Sequence, residues 1–121
     1  MKKEEQKKIN EAAYKVFNAA MEELKEETPE ALSRGASARQ MKAAGAVQLN
    51  KCEAFVWPLS HFYVLQSYAT FVAAIDKTTD TLVDVLRTEY GYTPTSARQI
   101  SKFKHIYGGA AYGCNTEYIA R

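Results

Sequence analysis

An amphipathic pattern in residues 3–26 limits the folds open to this chain more than any other part of its sequence. Apolar side chains recur there at three- and four-residue spacings, while lysine and glutamate fill most other positions. The pattern predicts one long helix whose apolar stripe needs a covering surface. Thr28-Pro29 predicts its end, because proline cannot continue a helix but fits the first position of a new turn. The stripe consists of Ile9, Ala13, Val16, Phe17, Ala20 and Leu24.

A second helix is predicted to begin at Ser37. Ser37 and Gln40 have the spacing of a capping box, in which each side chain accepts a hydrogen bond from the backbone N–H of the other residue. Helical spacing continues to Gln48 or Leu49. Gly45 weakens this helix by up to about 1 kcal/mol relative to alanine.

From Phe55 onward, aromatic and β-branched residues replace the helical pattern, which is typical of strands. Residues 70–76, a polar turn at 77–80 and residues 81–86 predict the arms of an antiparallel hairpin within a small sheet around 62–86. Helix remains an alternative for residues 80–90, since their apolar side chains also fit a period of 3.6.

A last helix is predicted over residues 96–107. Ser96 has the position of an N-cap with Gln99 three residues later, and apolar residues follow on one side. Gly108-Gly109 predicts its end. The remaining tail is compatible with a short strand or a turn.

These patterns predict a single α+β domain spanning residues 1–121: a long N-terminal helix, a second helix, a small antiparallel sheet and a C-terminal helix. The length is that of one domain, and 46% apolar with 25% charged residues is ordinary globular usage. No run of about twenty apolar residues suggests a membrane span, and the charged N-terminus does not look like a signal peptide. We therefore expect a cytoplasmic protein.

Catalytic and metal-binding signatures are missing from the sequence. Cys52 and Cys114 lie far apart and show no ligand spacing, so we expect reduced thiols, no metal and no cofactor. His61 and His105 lie in no recognised catalytic pattern. A thiolate pair of Cys114 with His105 is the one catalytic alternative, and the sequence favours a protein that is not an enzyme.

The tetrapeptide Ser-Ala-Arg-Gln occurs twice, at residues 37–40 and 96–99. Each copy lies at a predicted helix start, where free backbone N–H groups attract anions. One interpretation is an anion site at each start; the other, which we favour, is two capping boxes with solvated arginines.

A basic face is predicted on the last helix, roughly opposite its apolar side chains. Residues 1–30 hold six basic and eight acidic side chains, a local charge of −2, which leaves ten and six, a local charge of +4, for residues 31–121. Such a face suits an acidic protein groove or nucleic-acid phosphates, and it also suits plain solvent. The predicted contact residues are Arg98, Lys102, Lys104 and His105, with Arg39 and Lys42 as a second patch.

Two segments, 68–76 (YATFVAAID) and 92–103 (YTPTSARQISKF), resemble a stretch found in small proteins of bacteriophages and mobile elements. Those proteins have a hairpin of the form Y-x-T-x-V-A-x-x-D that leads to a helix opening with T-S. The resemblance implies a small accessory protein acting in the host cell cytoplasm, in a group that includes anti-CRISPR inhibitors of host defence.

Three functional hypotheses follow. The first, implied by the resemblance, is a non-enzymatic protein that binds and inhibits a host protein or ribonucleoprotein machine, with a CRISPR effector nuclease as the candidate. The second is a small nucleic-acid-binding accessory protein that uses the basic C-terminal helix. The third is a homo-oligomer in which the stripe of residues 9–24 pairs with a second copy.

Overall fold

The computed structural model describes residues 2–32, 37–49 and 53–121. These residues form a six-stranded sheet with helices packed on both faces. The helices are α1 (Lys3–Glu27), α2 (Ala38–Ala43), α3 (Leu86–Glu89) and α4 (Pro94–Tyr107), and a 3₁₀ helix spans Pro29–Leu32. The strands are β1 (Val47–Gln48), β2 (Ala54–Pro58), β3 (Phe62–Ser67), β4 (Thr70–Asp76), β5 (Thr81–Asp84) and β6 (Thr116–Ile119).

The strands lie in the sheet in the order in which they occur in the chain. Strands β1 to β5 form an antiparallel meander, whereas β6 joins the edge of β5 in parallel, with Val83 opposite Tyr118. A parallel neighbour cannot be reached by a tight turn and needs a crossover connection. Helices α3 and α4 form that crossover connection between β5 and β6, which places α4 across one face of the sheet.

Helix α1 covers one face of the sheet. Successive residues of a strand point to opposite faces, so alternate strand residues meet α1. Most of the apolar stripe of α1 is therefore buried against the sheet of its own chain, and this part is not available to pair with a second copy. This cluster includes Ala13, Phe17, Ala20 and Leu24 of α1 with Phe55, Trp57, Val64, Ala74 and Val83 of the sheet.

Helix α4 covers the opposite face. The intervening strand residues point to this side and pack against the inward face of α4, where Phe103 has no exposed surface. The sheet is thus the middle of three layers, which leaves the outer face of α4 to solvent. This second cluster includes Ala54, Val56, Leu65, Ile75 and Leu82 of the sheet with Ile100 and Phe103 of α4.

Polar contacts fix α1 at both of its ends. Near its C-terminus, Glu23 accepts the His61 backbone N–H at 2.7 Å, and its second oxygen lies 2.6 Å from Nδ1 of His61. Near its N-terminus, the Gln6 amide donates to the Ile119 carbonyl at 3.0 Å. The helix therefore holds both the β2–β3 turn and the edge strand β6.

The predicted α+β class is confirmed, with a long N-terminal helix, a mostly antiparallel sheet and further helices. The hairpin of residues 70–86 is confirmed as β4 and β5. Residues 80–90 divide between the two alternatives, strand to Asp84 and helix α3 from Leu86. None of the described helices combines the length and apolar character that crossing a lipid bilayer requires.

The second helix is shorter than predicted, and the tail that the sequence left open has a defined structure. Helix α2 ends at Ala43 instead of reaching Gln48 or Leu49, because Gly45 adopts φ +110° and turns the chain into β1. The undecided tail forms β6, which extends the sheet beyond the predicted hairpin.

Candidate binding surface around the last helix

Helix α4 begins earlier than its sequence pattern suggested. Thr93 is the N-cap and accepts the Ser96 N–H at 3.2 Å, while Pro94 takes the first helical position. Proline suits that position because it has no N–H and its φ is already helical. The prediction that Ser96 caps this helix is therefore wrong: Ser96 lies within the first turn.

Ser96 and Gln99 point into the protein and meet β3. The hydroxyl oxygens of Ser67 and Ser96 are 3.0 Å apart, and the Ser67 hydroxyl donates to Oε1 of Gln99 at 2.5 Å. All three side chains are buried, and Nε2 of Gln99 finds no acceptor in the described part of the chain. The second Ser-Ala-Arg-Gln is thus an interior polar cluster, neither a capping box nor an anion site.

The outer face of α4 carries the predicted basic residues. Arg98, Lys102 and His105 are exposed and lie opposite the buried Ile100 and Phe103, as a rotation of about 100° per residue requires. None of these three forms an ion pair within residues 2–32, 37–49 and 53–121. They are available to an external partner.

Lys104 differs from the other predicted contact residues. Its ammonium group lies 3.1 Å from Oε1 of Glu117, and each of the two side chains is about one-third exposed, at 32% and 33%. The ion pair links α4 to β6 at the side of the helix. Lys104 therefore has a partner inside the fold and offers less charge to a ligand than its neighbours do.

The second predicted patch lies elsewhere. Arg39 and Lys42 are exposed on α2, whose capping box between Ser37 and Gln40 is confirmed. The buried side chain of α2, Met41, belongs to the cluster on the α1 face of the sheet. The structure does not bring this patch together with the outer face of α4.

Three exposed tyrosines lie at the end of the sheet where α4 begins. Tyr68 is in the β3–β4 turn, directly after Ser67, whereas Tyr90 and Tyr92 belong to the link between α3 and α4; their exposed fractions are 50%, 46% and 54%. The Arg87 guanidinium lies 4.5 Å from the centre of the Tyr92 ring. The contact between Ser67 and Ser96 brings the turn and the link together. We call Tyr68, Tyr90, Tyr92 and Arg87 the tyrosine end.

The tyrosine end was not singled out from the sequence, although one signal was present. Residues 90–116 contain no aspartate or glutamate, and they include all four predicted contact residues of α4. A stretch of 27 residues without a carboxylate, in a chain with 14 of them, indicates a surface without negative charge. The signal marks part of the surface, but it does not indicate that Tyr68 lies at the same end of the sheet as Tyr90 and Tyr92.

The loop between α4 and β6 is held by Asp80, at the other end of the sheet. Its carboxylate accepts the Gly109 N–H at 2.7 Å and the Asn115 N–H at 2.9 Å. The Gly109 bond is the largest cause that lowers the pKa of Asp80 below 3.8. Burial, with the nearby Asp80 charge, raises the pKa of Cys114 to about 12.

The elevated pKa of Cys114 bears on the catalytic alternative. A thiol with that pKa stays protonated near neutral pH, and the thiolate is the reactive form. The structure therefore gives no support to a thiolate pair of Cys114 with His105. Within the described ranges no three His, Cys, Asp or Glu side chains are grouped as metal ligands would be, and Cys52 lies outside those ranges.

The fold and site define a three-layer α+β protein whose last helix exposes Arg98, Lys102 and His105 on its outer face. Comparison with known proteins gave no match, whether with family models, curated proteins or solved structures. The resemblance to phage proteins stays a prediction.

Proposed function

We propose that this protein works by binding a macromolecule through the outer face of α4 and that it is not an enzyme. The observation that carries the proposal is the state of Arg98, Lys102 and His105: all three are exposed on a helix whose inner face is fully packed. A rigid helix that displays Arg98 and Lys102 without an ion pair among the described residues suits a partner surface of opposite charge.

The biological role that we propose is that of a phage or mobile-element protein that inhibits a host machine. The resemblance of residues 68–76 and 92–103 supports this origin, and a CRISPR effector nuclease is the candidate target. The nucleic-acid channel of such an effector is itself positive, so an inhibitor that imitates nucleic acid needs to be acidic. A net charge of +2 favours contact with an acidic part of the machine or with its guide RNA.

The test is a pull-down of the tagged protein from a host lysate that contains the defence machinery. The variant Arg98→Glu/Lys102→Glu reverses the charge of the outer face of α4, and Arg39→Glu/Lys42→Glu makes the same change of charge on α2. Capture of a nuclease complex by the wild type and the α2 variant, but not by the α4 variant, supports the proposal. Equal capture by all three proteins, or no capture of a nuclease complex at all, contradicts it.

A second candidate function is nucleic-acid binding by the same helix, and the lack of carboxylates in residues 90–116 favours it. Phosphate contacts release counterions, so the affinity falls steeply as salt rises, whereas a mixed protein interface responds less. Capture that disappears after nuclease treatment of the lysate distinguishes this candidate from inhibition of a protein machine.

A further inference from the structure

We infer that the tyrosine end is a stacking platform for single-stranded nucleic acid. It goes beyond the inhibition of a host machine and deepens the nucleic-acid candidate, because it adds Tyr68, Tyr92 and Arg87 to the α4 face and commits to single strands.

Tyr68 has φ +56°, in the left-handed region that side chains rarely adopt. It occupies the first central position of a two-residue hairpin turn between the paired residues Ser67 and Thr70. Glycine, asparagine or aspartate normally takes such a position, since a bulky side chain is strained there. The ring is not buried to compensate, because Tyr68 is half exposed. Full burial of the side chain therefore does not offset this strain, and we take the tyrosine to have a role outside the fold.

Tyr92 offers a second ring at the same end of the sheet. It follows α3 and directly precedes Thr93, the cap of α4, whose first turn contacts Ser67 through Ser96. Arg87 lies over this ring, so a flat cation and an exposed aromatic side chain stand together. Aromatic rings and arginine planes are the groups on which unpaired bases stack.

The charges along α4 favour nucleic acid as the ligand of the tyrosine end. The chain from residue 90 to 116 has no carboxylate, and Arg98 and Lys102 continue the positive surface along α4 from the tyrosine end. Two acidic residues border the tyrosine end. Glu89 accepts a hydrogen bond from Tyr14 at 2.6 Å on the α1 side. The exposed Glu53 accepts the Tyr68 N–H at 2.8 Å through its backbone carbonyl. A backbone of phosphates along α4 with bases on Tyr68 and Tyr92 matches this arrangement. A duplex does not, because its bases are already stacked on one another.

The experiment measures the fluorescence anisotropy of a labelled oligouridine or oligothymidine strand and of a duplex of equal length, at two salt concentrations. The platform variant is Tyr68→Gly/Tyr92→Leu. Glycine accepts φ +56° without strain, so this change keeps the hairpin turn. Tyr112→Leu is the matched control, since Tyr112 is 84% exposed but lies in the loop held by Asp80 at the other end of the sheet.

We expect the wild type and Tyr112→Leu to bind the single strand more tightly than the duplex. The platform variant loses about tenfold or more in affinity while its salt dependence stays the same, because it removes stacking and no charge. Arg98→Glu/Lys102→Glu instead reduces the salt dependence. Absence of binding to the single strand, equal binding to the duplex, or an unchanged affinity of a folded platform variant overturns the inference.

Pull-downs with the same variants separate this inference from the proposed function. A platform variant that still captures the host complex but no longer binds the oligonucleotide supports two separate surfaces. If the wild type captures the complex and does not bind the oligonucleotide, only the platform is disproved. If the wild type binds the oligonucleotide and captures no host complex, the platform is supported and the inhibitor function is contradicted.

Discussion

The hydroxyl oxygens of Ser67 and Ser96 lie 3.0 Å apart, joining the last residue of β3 to the first turn of α4. Both side chains are almost completely buried. Burying a polar group is unfavourable unless it is hydrogen-bonded. The two hydroxyls are therefore more stable when they keep their contact than when they separate. This contact holds the start of α4 against the β3–β4 turn, so Tyr68 and Tyr92 lie at the same end of the sheet.

Replacing Ser67 with alanine is expected to destabilise the protein by about 1–3 kcal/mol. The change leaves Oε1 of Gln99 buried without a donor, in addition to Nε2, which already lacks an acceptor in the described residues. Urea denaturation followed by circular dichroism measures the loss. The double variant Ser67→Ala/Gln99→Leu removes the stranded amide and should recover part of the stability, because the buried Ser96 hydroxyl still lacks its Ser67 partner. A double variant as unstable as the sum of the single variants would show that the amide is not the cause.

The cap of α4 gives a second stability prediction. Thr93→Ala removes the oxygen that accepts the Ser96 N–H and should cost about 1 kcal/mol. Ser37→Ala removes the cap of α2 and should cost a similar amount. If Thr93→Ala has no effect on urea denaturation, the assignment of Thr93 as the N-cap is contradicted.

The two Ser-Ala-Arg-Gln segments show how far the sequence could predict this fold. The capping-box prediction is confirmed at Ser37 but wrong at Ser96, where Thr93-Pro94 begins the helix one turn earlier. Capping depends on local spacing, and both segments satisfy that spacing. The competing signal was a threonine followed by proline, a combination that favours an N-cap and first helical position more strongly.

Long-range features were harder to predict. Helix α1 and the hairpin follow from periodicity, because apolar spacing reports which side of an element is buried. The parallel pairing of β6 and the contact of Ser67 with Ser96 depend on residues far apart in the chain, for which one sequence contains no direct signal. The exposure of Arg98, Lys102 and His105 was predictable from helical geometry, whereas the ion pair of Lys104 with Glu117 required the position of β6.

Asp80 should make part of the stability depend on pH. Its pKa is lowered in the folded state, so its favourable contribution is complete well above 3.8 and is lost as the pH falls through the lower, folded-state pKa. Asparagine also tolerates φ +52°, but Asp80→Asn removes the charge and keeps only one acceptor oxygen for the Gly109 and Asn115 N–H groups. We expect the variant to be less stable than the wild type near neutral pH. Urea denaturation across the acidic range should show this difference shrinking below pH 3.8, and a constant difference would contradict the linkage.

Asp84, at the other end of β5, should behave in the opposite way. Burial raises its pKa above 3.8, so the ionised carboxylate disfavours folding once the pH exceeds the folded-state pKa. Asp84→Asn retains an oxygen to accept the Leu86 N–H and removes the buried charge. We expect higher stability than the wild type at neutral pH and no advantage below pH 3.8. A destabilised variant at neutral pH would mean that the charge itself stabilises this strand end.

We expect Gly108 to tolerate no side chain, because neighbouring backbone atoms leave no room for a Cβ atom. Its backbone conformation, with φ −73°, is one that any residue can adopt. A Cβ atom at this position would lie 2.1 Å from the Gly113 carbonyl oxygen and 2.4 Å from the Lys104 carbonyl oxygen, both of them backbone atoms with little freedom to move. Gly108→Ala should therefore cost about 2 kcal/mol or more and loosen the loop that Asp80 holds. Gly91 provides the contrast, since it has open space around it but φ +89°. Gly91→Asn is strained by that backbone region, which asparagine tolerates better than most residues, so it should cost less than Gly108→Ala, about 1 kcal/mol, in the same denaturation experiment. If the two variants lose equal stability, the close approach of Gly108 to Gly113 is not the reason why position 108 requires glycine.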